Sequence, residues 1–238
     1  MQDIRIRYKR TVLGPLWITV SMSVTFICIG SLFSAILKND VRVFLPYLAA
    51  GMVIWSFISA VAAEGPQVFV DAHHIINSLR IPLVVHVLRC VARNALIFFH
   101  NSLAALMALL ILGGSLTKAG LLLLVSLPIL FAIAFFGGLI LAILGARFRD
   151  LGPIVGMVMQ LTFFMTPIMW RPEDIADGSK WWVAINPAYH LIQIVRAPML
   201  GSVPAGISIA VSLGTATALG LAAYALFRLF RHRITYWL

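Results

Sequence analysis

Charged side chains are scarce in this sequence, and acidic ones are the scarcest. Only 11% of the 238 residues are charged, with 8 acidic against 18 basic side chains, while 61% are hydrophobic. A soluble globular domain carries about 25% charged and about 45–50% apolar residues. The composition excludes an ordinary soluble domain, so the physics of a membrane protein applies first.

Cysteine, nucleotide-binding motifs and intramembrane acids are also rare or missing. Cys28 lies inside an apolar run and Cys90 near the end of another, so no structural disulfide is expected. No GxxxxGK[ST] loop occurs, which places any ATP and magnesium on another chain. The long apolar runs contain no acidic residue, which argues against an ion-coupled pump. We therefore expect no cofactor, metal site or catalytic group on this chain, which is not predicted to be an enzyme.

Six uncharged runs are long enough to cross a bilayer, which takes about 20 helical residues. They predict an all-α membrane protein with a single transmembrane domain over residues 1–238. The predicted spans cover residues 11–37, 43–63, 94–117, 119–146, 151–170 and 203–227. His100 and Asn101 lie within the third span, where hydrogen bonding between helices is favoured over a proton relay.

The net charge of +10 comes from basic residues that lie at the ends of the spans instead of on one surface. Nucleic acid is therefore not the expected partner. With the N-terminus in the cytoplasm, twelve basic residues fall inside and six outside, as the positive-inside rule requires. The six outer residues are Lys38, Arg42, Lys118, Arg171, Lys180 and Arg196. Both termini are therefore predicted to be cytoplasmic.

One further apolar stretch, residues 181–195, is too short to cross. Its fifteen uncharged residues reach about 22 Å as a helix, against about 30 Å of hydrocarbon, and Pro187 interrupts it. A seventh span here would carry the basic C-terminal residues outside. The sequence therefore predicts a re-entrant outer element over 171–199, between spans five and six, that is buried in protein or lines a cavity.

The connection after the second span predicts a helix of its own. Gly65 and Pro66 end the span, and apolar residues then recur at helical spacing with polar ones between them. This pattern indicates a cytoplasmic amphipathic helix over 68–81. Two interpretations remain: a helix lying under the lipid headgroups, or a docking helix that transmits force from a cytoplasmic partner.

Three sets of side chains each allow two interpretations. A basic stripe contacts either phosphate headgroups or an anionic substrate head; it consists of His86, Arg89 and Arg93. Aromatic residues in spans one and five either pack or stack on sugar rings; they are Phe26, Phe33, Phe163 and Phe164. Acids near the outer tryptophans form either a catalytic pair or, as we favour, a solvated loop; they are Glu173, Asp174 and Asp177.

Several motifs resemble one family, the membrane subunits of type-2 ABC exporters, and within it the group that exports O-antigen and capsular polysaccharides. The similar stretches are IRIRYKRTVLGPLW at 4–17, INSLRIP at 76–82, LRCVARN at 88–94, FFHN at 98–101, GARFRDLGP at 145–153, TPIMWRPEDI at 166–175 and INPAYHLIQIVRAPMLG at 185–201. They cover nearly the whole chain in the family's order. Each motif is weak alone, and together they are specific.

The resemblance implies roles for particular residues. An ATPase-coupling helix would include Asp71, His74, Ile75, Asn77, Ser78 and Arg80. An outer gate of short re-entrant helices would include Trp170, Pro172, Glu173, Asn186, Pro187 and Arg196. The first and fifth spans would line the channel through Phe26, Phe33, Phe163 and Phe164. His86, Arg89 and Arg93 would meet the anionic lipid head of the cargo.

The same resemblance implies an assembly and a location. Two copies of this chain would pair with two nucleotide-binding ATPase subunits in the bacterial inner membrane, among its lipids. The cargo would be a polysaccharide linked to polyprenyl pyrophosphate. Family members usually carry an amphipathic helix before the first span, whereas only residues 1–10 precede it here, so this entry helix is expected to be truncated, absent or lost to the choice of start site. Two alternatives stay open: a polyprenyl-dependent glycan transferase, and an exporter of teichoic acid or another amphiphile.

Overall fold

The computed structural model describes residues 16–78, 81–112, 117–174 and 181–238, and every regular element within these ranges is helical. The α-helices are α1 Leu16–Leu37, α2 Val41–Glu64, α3 Val68–Asp71, α4 His73–Ser78, α5 Leu83–Ile111, α6 Leu123–Arg147, α7 Leu151–Met165, α8 Trp181–Ile185, α9 Pro187–Met199, α10 Gly206–Phe230 and α11 Ile234–Trp237. Short 3-10 helices cover Gly65–Gln67, Lys118–Leu122 and Pro172–Asp174. The all-helical prediction is confirmed for the described residues.

Five helical stretches in the described ranges are long and apolar enough to cross a membrane: Trp17–Ile36, Val41–Asp71, Leu83–Ile111, Lys118–Arg147 and Gly206–Phe230. They coincide with five of the six predicted spans. The remaining one, predicted over 151–170, is the 15-residue helix α7, which at 1.5 Å per residue covers only about 22 Å. The chain is thus a multi-pass membrane protein whose fifth apolar run is helical over part of its length.

Helix α7 ends at Met165 because Pro167 follows two residues later. Thr166 adopts extended backbone angles, φ −99° and ψ 135°, immediately before Pro167. A residue that precedes proline is driven out of the helical region by the proline ring. The backbone therefore continues in an irregular path from Thr166 to Arg171, and the helix cannot run to residue 170 as the composition alone indicates.

The helices define two ends of the bundle. We name the end formed by residues 65–78, 81–82, 147–150 and 231–238 the basic end, and the end formed by 38–40, 117–122, 166–174 and 181–205 the opposite end. Helix α2 is the central element, and contacts α1, α5, α6, α7 and α9. Its largest fully buried side chains are Phe44, Leu48, Ile54 and Phe57, each at most 2% exposed. The core of the protein is therefore built around α2.

The helix predicted over 68–81 is two short helices. Helix α3 ends at Asp71 and α4 begins at His73, with a turn at Ala72. The His73 Nδ1 atom lies 3.0 Å from the Val70 carbonyl oxygen, the acceptor that a continuous helix gives to the N–H of residue 74. The imidazole thus competes for that carbonyl where the helix breaks. The predicted residues 79 and 80 lie outside the described ranges.

Two glycines allow the 3-10 turn at the basic end to sit directly on α6. A Cβ atom added at Gly145 would overlap the backbone of Pro66. A Cβ added at Gly65 would lie 2.9 Å from the Leu141 Cβ. The turn Gly65–Gln67 is therefore fastened to the last turns of α6, and it holds the start of α3 in place.

We predict that Gly145→Ala destabilises the protein, because the new methyl group meets backbone atoms that cannot rotate away. Overpacking of this kind costs about 1–3 kcal/mol or more. Gly137→Ala is the matched control, since α6 also contains Gly137 and a Cβ there meets nothing within 4 Å. Melting temperatures of the detergent-purified variants measure the difference. Equal melting temperatures for the two variants would contradict the close packing of the Pro66 backbone against Gly145.

Candidate functional site

The irregular backbone of residues 166–171 lies inside the protein. Thr166 and Ile168 are 1% and 0% exposed, and Pro167 is buried as well. Non-helical backbone in a membrane protein requires internal hydrogen-bond partners, because lipid supplies none. The carbonyl groups of this stretch are the reason that polar side chains gather here.

Arg196 on α9 supplies one of these partners. Its side chain is 1% exposed. The Nη1 atom donates to the Pro167 carbonyl oxygen at 2.8 Å, while Nε and Nη2 donate to Gln193 Oε1 at 3.2 and 2.9 Å. Burial lowers the pKa of the guanidinium, but an arginine pKa starts so high that the group stays charged at neutral pH. The buried cation therefore depends on these acceptors.

Tyr47 on α2 completes this contact from the other side. The Arg196 guanidinium carbon lies 3.9 Å from the centroid of the Tyr47 ring. The Tyr47 hydroxyl donates to the carbonyl oxygens of Pro167, at 3.2 Å, and Trp170, at 3.4 Å. A desolvated cation over an aromatic face contributes about 2 kcal/mol. Helix α2, α9 and the irregular stretch are thus joined through one arginine and one tyrosine.

Asn186 and His190 connect the remaining parts of the segment. Asn186 Oδ1 accepts from the backbone N–H of Ala188 and caps α9, and its Nδ2 donates to Thr166 Oγ1 at 3.0 Å. His190 is buried, with Nδ1 3.0 Å from Ser208 Oγ and Nε2 2.7 Å from the Ala184 carbonyl oxygen. Helices α8, α9 and α10 are therefore held together by side chains of one short stretch.

Of the residues predicted for the gate, Asn186 and Arg196 meet around the irregular stretch. Pro187 occupies the first turn of α9, where its missing N–H costs nothing. Trp170 stacks near Trp182, with ring centroids 5.5 Å apart. Pro172 and Glu173 lie in the following 3-10 helix, and Glu173 is exposed. Their gating role stays a prediction.

At the basic end, α3 and α4 present one buried and one exposed side. Phe69 is 0% and Ala72 9% exposed, so these residues attach the two helices to the bundle. The exposed residues there are Asp71, His74, Ile75, Asn77 and Ser78. Five of the six residues predicted for coupling thus share an accessible surface, and Arg80 lies outside the described residues. Their coupling role stays a prediction.

One member of the basic stripe, Arg93, forms an ion pair with Glu64. Glu64 Oε2 accepts from Arg93 Nη2 at 2.6 Å, from Asn94 Nδ2 at 2.7 Å and from Cys90 Sγ at 3.2 Å. Arg93 is therefore engaged between α2 and α5. His86 is 8% exposed, whereas Arg89 faces solvent or headgroups. Contact of this stripe with an anionic lipid head stays a prediction, and Arg89 is its most accessible member.

The four aromatic residues proposed for a channel differ in exposure. Phe26 is 2% exposed and packs in the core, so it presents no surface to a channel in this structure. Phe33 and Phe163 are half-buried, and the Phe163 ring lies 5.8 Å from that of Trp55. Phe164 is 63% exposed. The channel-lining role stays a prediction, with Phe164 as its most accessible residue.

Nothing in the described ranges forms a group of three or more His, Cys, Asp or Glu side chains that would hold a metal ion. The polar contacts of the described residues join helices to one another. Tyr47 was missed by the sequence analysis, although a tyrosine inside an otherwise apolar span is itself a signal, because a buried hydroxyl needs a partner. The pairing of Glu64 with Arg93 was also missed, since the two are 29 residues apart.

We predict that Tyr47→Phe lowers stability by about 1–3 kcal/mol, because the Trp170 carbonyl group loses its Tyr47 donor and the Pro167 carbonyl group keeps only Arg196. Arg196→Lys has a larger effect, since one ammonium group cannot serve the Pro167 carbonyl and Gln193 together or stack as a plane. Tyr224→Phe is the control, because Tyr224 is 62% exposed on α10. Thermal unfolding in detergent measures all three. If the Tyr47→Phe and Tyr224→Phe variants had the same melting temperature, that result would contradict the stabilising role of Tyr47.

Comparison with known proteins agrees with this architecture. Residues 1–200 match the profile of the ABC-2 type transporter membrane family. A relative from Myxococcus xanthus, described as O-antigen export system permease protein RfbA, is 25% identical over 202 residues, covering 82% of this chain and 76% of its own length. A Klebsiella pneumoniae protein of the same description is 25% identical over 195 residues, covering 80% of this chain and 74% of its own. The predicted family resemblance is confirmed, and the chain belongs to the ABC-2 type transporter family.

Proposed function

We propose that this chain is the permease subunit of an ATP-driven transporter that exports a polysaccharide linked to polyprenyl pyrophosphate. The observation that carries the proposal is the similarity of four-fifths of the chain to relatives described as O-antigen export permeases. In this proposal the chain lies in the bacterial inner membrane with the basic end in the cytoplasm. The permease performs no covalent chemistry.

A separate ATPase drives the transport in this proposal. Two copies of the permease assemble with two ATPase subunits, which bind ATP and magnesium. The exposed surface of α3 and α4 docks on the ATPase, and its motion reaches the bundle through the Gly65–Gln67 turn seated on α6. Support comes from the exposure of Ile75, a 37% exposed apolar side chain amid polar neighbours at the basic end.

Helix α2 connects the two ends mechanically. Tyr47 lies in its second turn, 17 residues before the last residue of the helix, Glu64, a distance of about 26 Å at 1.5 Å per residue. Tyr47 contacts the irregular stretch and Arg196, while Gly65 follows the helix at the docking side. A displacement of α2 by the ATPase therefore moves Tyr47 against the 166–201 segment, which acts as the outer gate. The exposed Arg89 receives the pyrophosphate, and Phe164 faces the glycan.

The direct test is genetic and biochemical. Deletion of the gene should abolish the surface glycan and cause lipid-linked glycan to accumulate inside the cell, and the tagged chain should co-purify with an ABC ATPase. Complementation with the wild-type chain is the control and should restore the surface glycan. Normal surface glycan in the deletion strain would refute the proposed function.

A second prediction concerns coupling. Ile75→Asp should lower export at least tenfold, because a carboxylate replaces the apolar anchor of the docking surface, and a desolvated unpaired charge costs more than the 1.4 kcal/mol that a factor of ten represents. Ile81→Asp is the matched control, since Ile81 is also 37% exposed but lies outside α4. Surface glycan and co-purified ATPase are measured for both. Equal export by the two variants would assign α4 to the lipid surface.

A further inference from the structure

A cavity of about 410 Å³ lies between α2, α5, α6 and α9, away from the docking surface and the gate contacts. Its walls include Pro46, Phe98, Leu103, Leu109, Leu127 and Met199, and its rim includes Gly120 in the 3-10 helix Lys118–Leu122. Its volume falls in the range of about 300–1,000 Å³ that is typical of small-molecule sites. Its α9 wall belongs to the proposed gate segment, and the proposed transport mechanism gives no role to the other walls.

The depth of the cavity corresponds to one leaflet of a bilayer. Along α5 the walls extend from Phe98 to Leu109, eleven residues that rise about 16 Å at 1.5 Å each. Half of a hydrocarbon core of about 30 Å is of the same length. Gly120 and Leu200 place the rim at the opposite end of the bundle. The cavity is therefore a groove that runs from the level of the headgroups toward the middle of the membrane.

The groove is open to lipid on one side. Phe99 and Leu103 on its wall are 46% and 61% exposed, in a helix long and apolar enough to cross the membrane. Its rim is fixed, because Thr117 Oγ1 donates to the Gly201 carbonyl oxygen at 2.9 Å and so ties the 3-10 helix to the end of α9. A molecule already in the bilayer can enter sideways without crossing water.

The wall chemistry selects a hydrocarbon chain. Among the described residues that line it, only His100 and Ser102 have polar side chains. The Ser102 hydroxyl donates to the Phe98 carbonyl oxygen, and His100 Nδ1 lies 2.7 Å from the Leu96 carbonyl oxygen, so both interact with their own helix. Lys118 is not one of the wall residues, but it is exposed and lies two residues before the wall residue Gly120. An apolar slot with an ammonium group at headgroup level is complementary to a lipid with an anionic head.

We propose that this groove is a binding site for one acyl chain of an anionic phospholipid from the leaflet at the opposite end, with the phosphate beside Lys118. A chain in the groove lies against Val195, Pro198 and Met199 of α9. These residues flank Arg196, whose guanidinium holds the irregular stretch. The bound lipid therefore supports α9 from the cavity side, whereas most of the gate contacts lie on the other side of this helix.

Native mass spectrometry of the detergent-purified full chain, titrated with palmitoyl-oleoyl phosphatidylglycerol, tests the site. The wild-type chain should retain one phospholipid. Gly120→Leu should bind it about tenfold more weakly, because the new side chain displaces about two methylene groups, each worth about 0.8 kcal/mol. A Cβ at Gly120 meets nothing within 4 Å, so this variant adds no clash. Gly206→Leu is the matched control, since Gly206 is equally open and lies at the same end on α10.

Two further measurements identify the occupant. Lys118→Gln should reduce the preference for phosphatidylglycerol over phosphatidylcholine while leaving one lipid bound, because only the head contact is lost. Competition with undecaprenyl phosphate should leave the bound phospholipid in place. A wild-type chain without retained lipid, unchanged binding in Gly120→Leu, or displacement by undecaprenyl phosphate would each overturn the proposal. None of these outcomes bears on whether the chain exports glycan.

Discussion

The buried contact between Arg196, Tyr47 and the Pro167 carbonyl group is the interaction on which this end of the structure depends. A proline stops α7 after 15 residues, and the carbonyl groups that follow have no water and no helix to satisfy them. One guanidinium and one phenol satisfy them from two other helices. Without these donors the irregular stretch would carry buried unpaired carbonyl groups, each of which costs about 1–3 kcal/mol.

The same contact explains how a partly spanning helix is accommodated. Just beyond the end of α7, Asn186 at the start of α9 donates to Thr166 Oγ1 at 3.0 Å. Helix α9 also contacts Tyr47 of α2 and, through His190, Ser208 of α10, and it forms one wall of the cavity that α2, α5 and α6 also line. At the basic end, Gly145 gives the Gly65–Gln67 turn a fixed seat. Helix α2 joins the two regions, since it contacts both α9 and the Gly65–Gln67 turn.

Sequence patterns predicted those features of the fold that depend on local hydropathy, segment length and charge. Hydropathy located five spans, and length and charge parity singled out 181–195 as unable to cross. Charge counting assigned Arg196 to the outer side but did not indicate that its side chain is only 1% exposed. Its partners are Pro167, 29 residues earlier, and Tyr47 in α2. The split between α3 and α4 was missed because the His73 ring, and not hydrophobic periodicity, decides it. Long-range contacts of single side chains leave no periodic signal.

The central claim is that the 166–201 segment enters and returns at the same end. Labelling of single cysteines by a membrane-impermeant maleimide in intact cells tests it, in a background with Cys28 and Cys90 replaced by serine. We expect Lys118→Cys and Ser202→Cys to react from outside, and Ser78→Cys and His232→Cys only after permeabilisation. Reaction of Ser202→Cys and Lys118→Cys from opposite sides of the membrane would contradict the account, because the segment would then cross it.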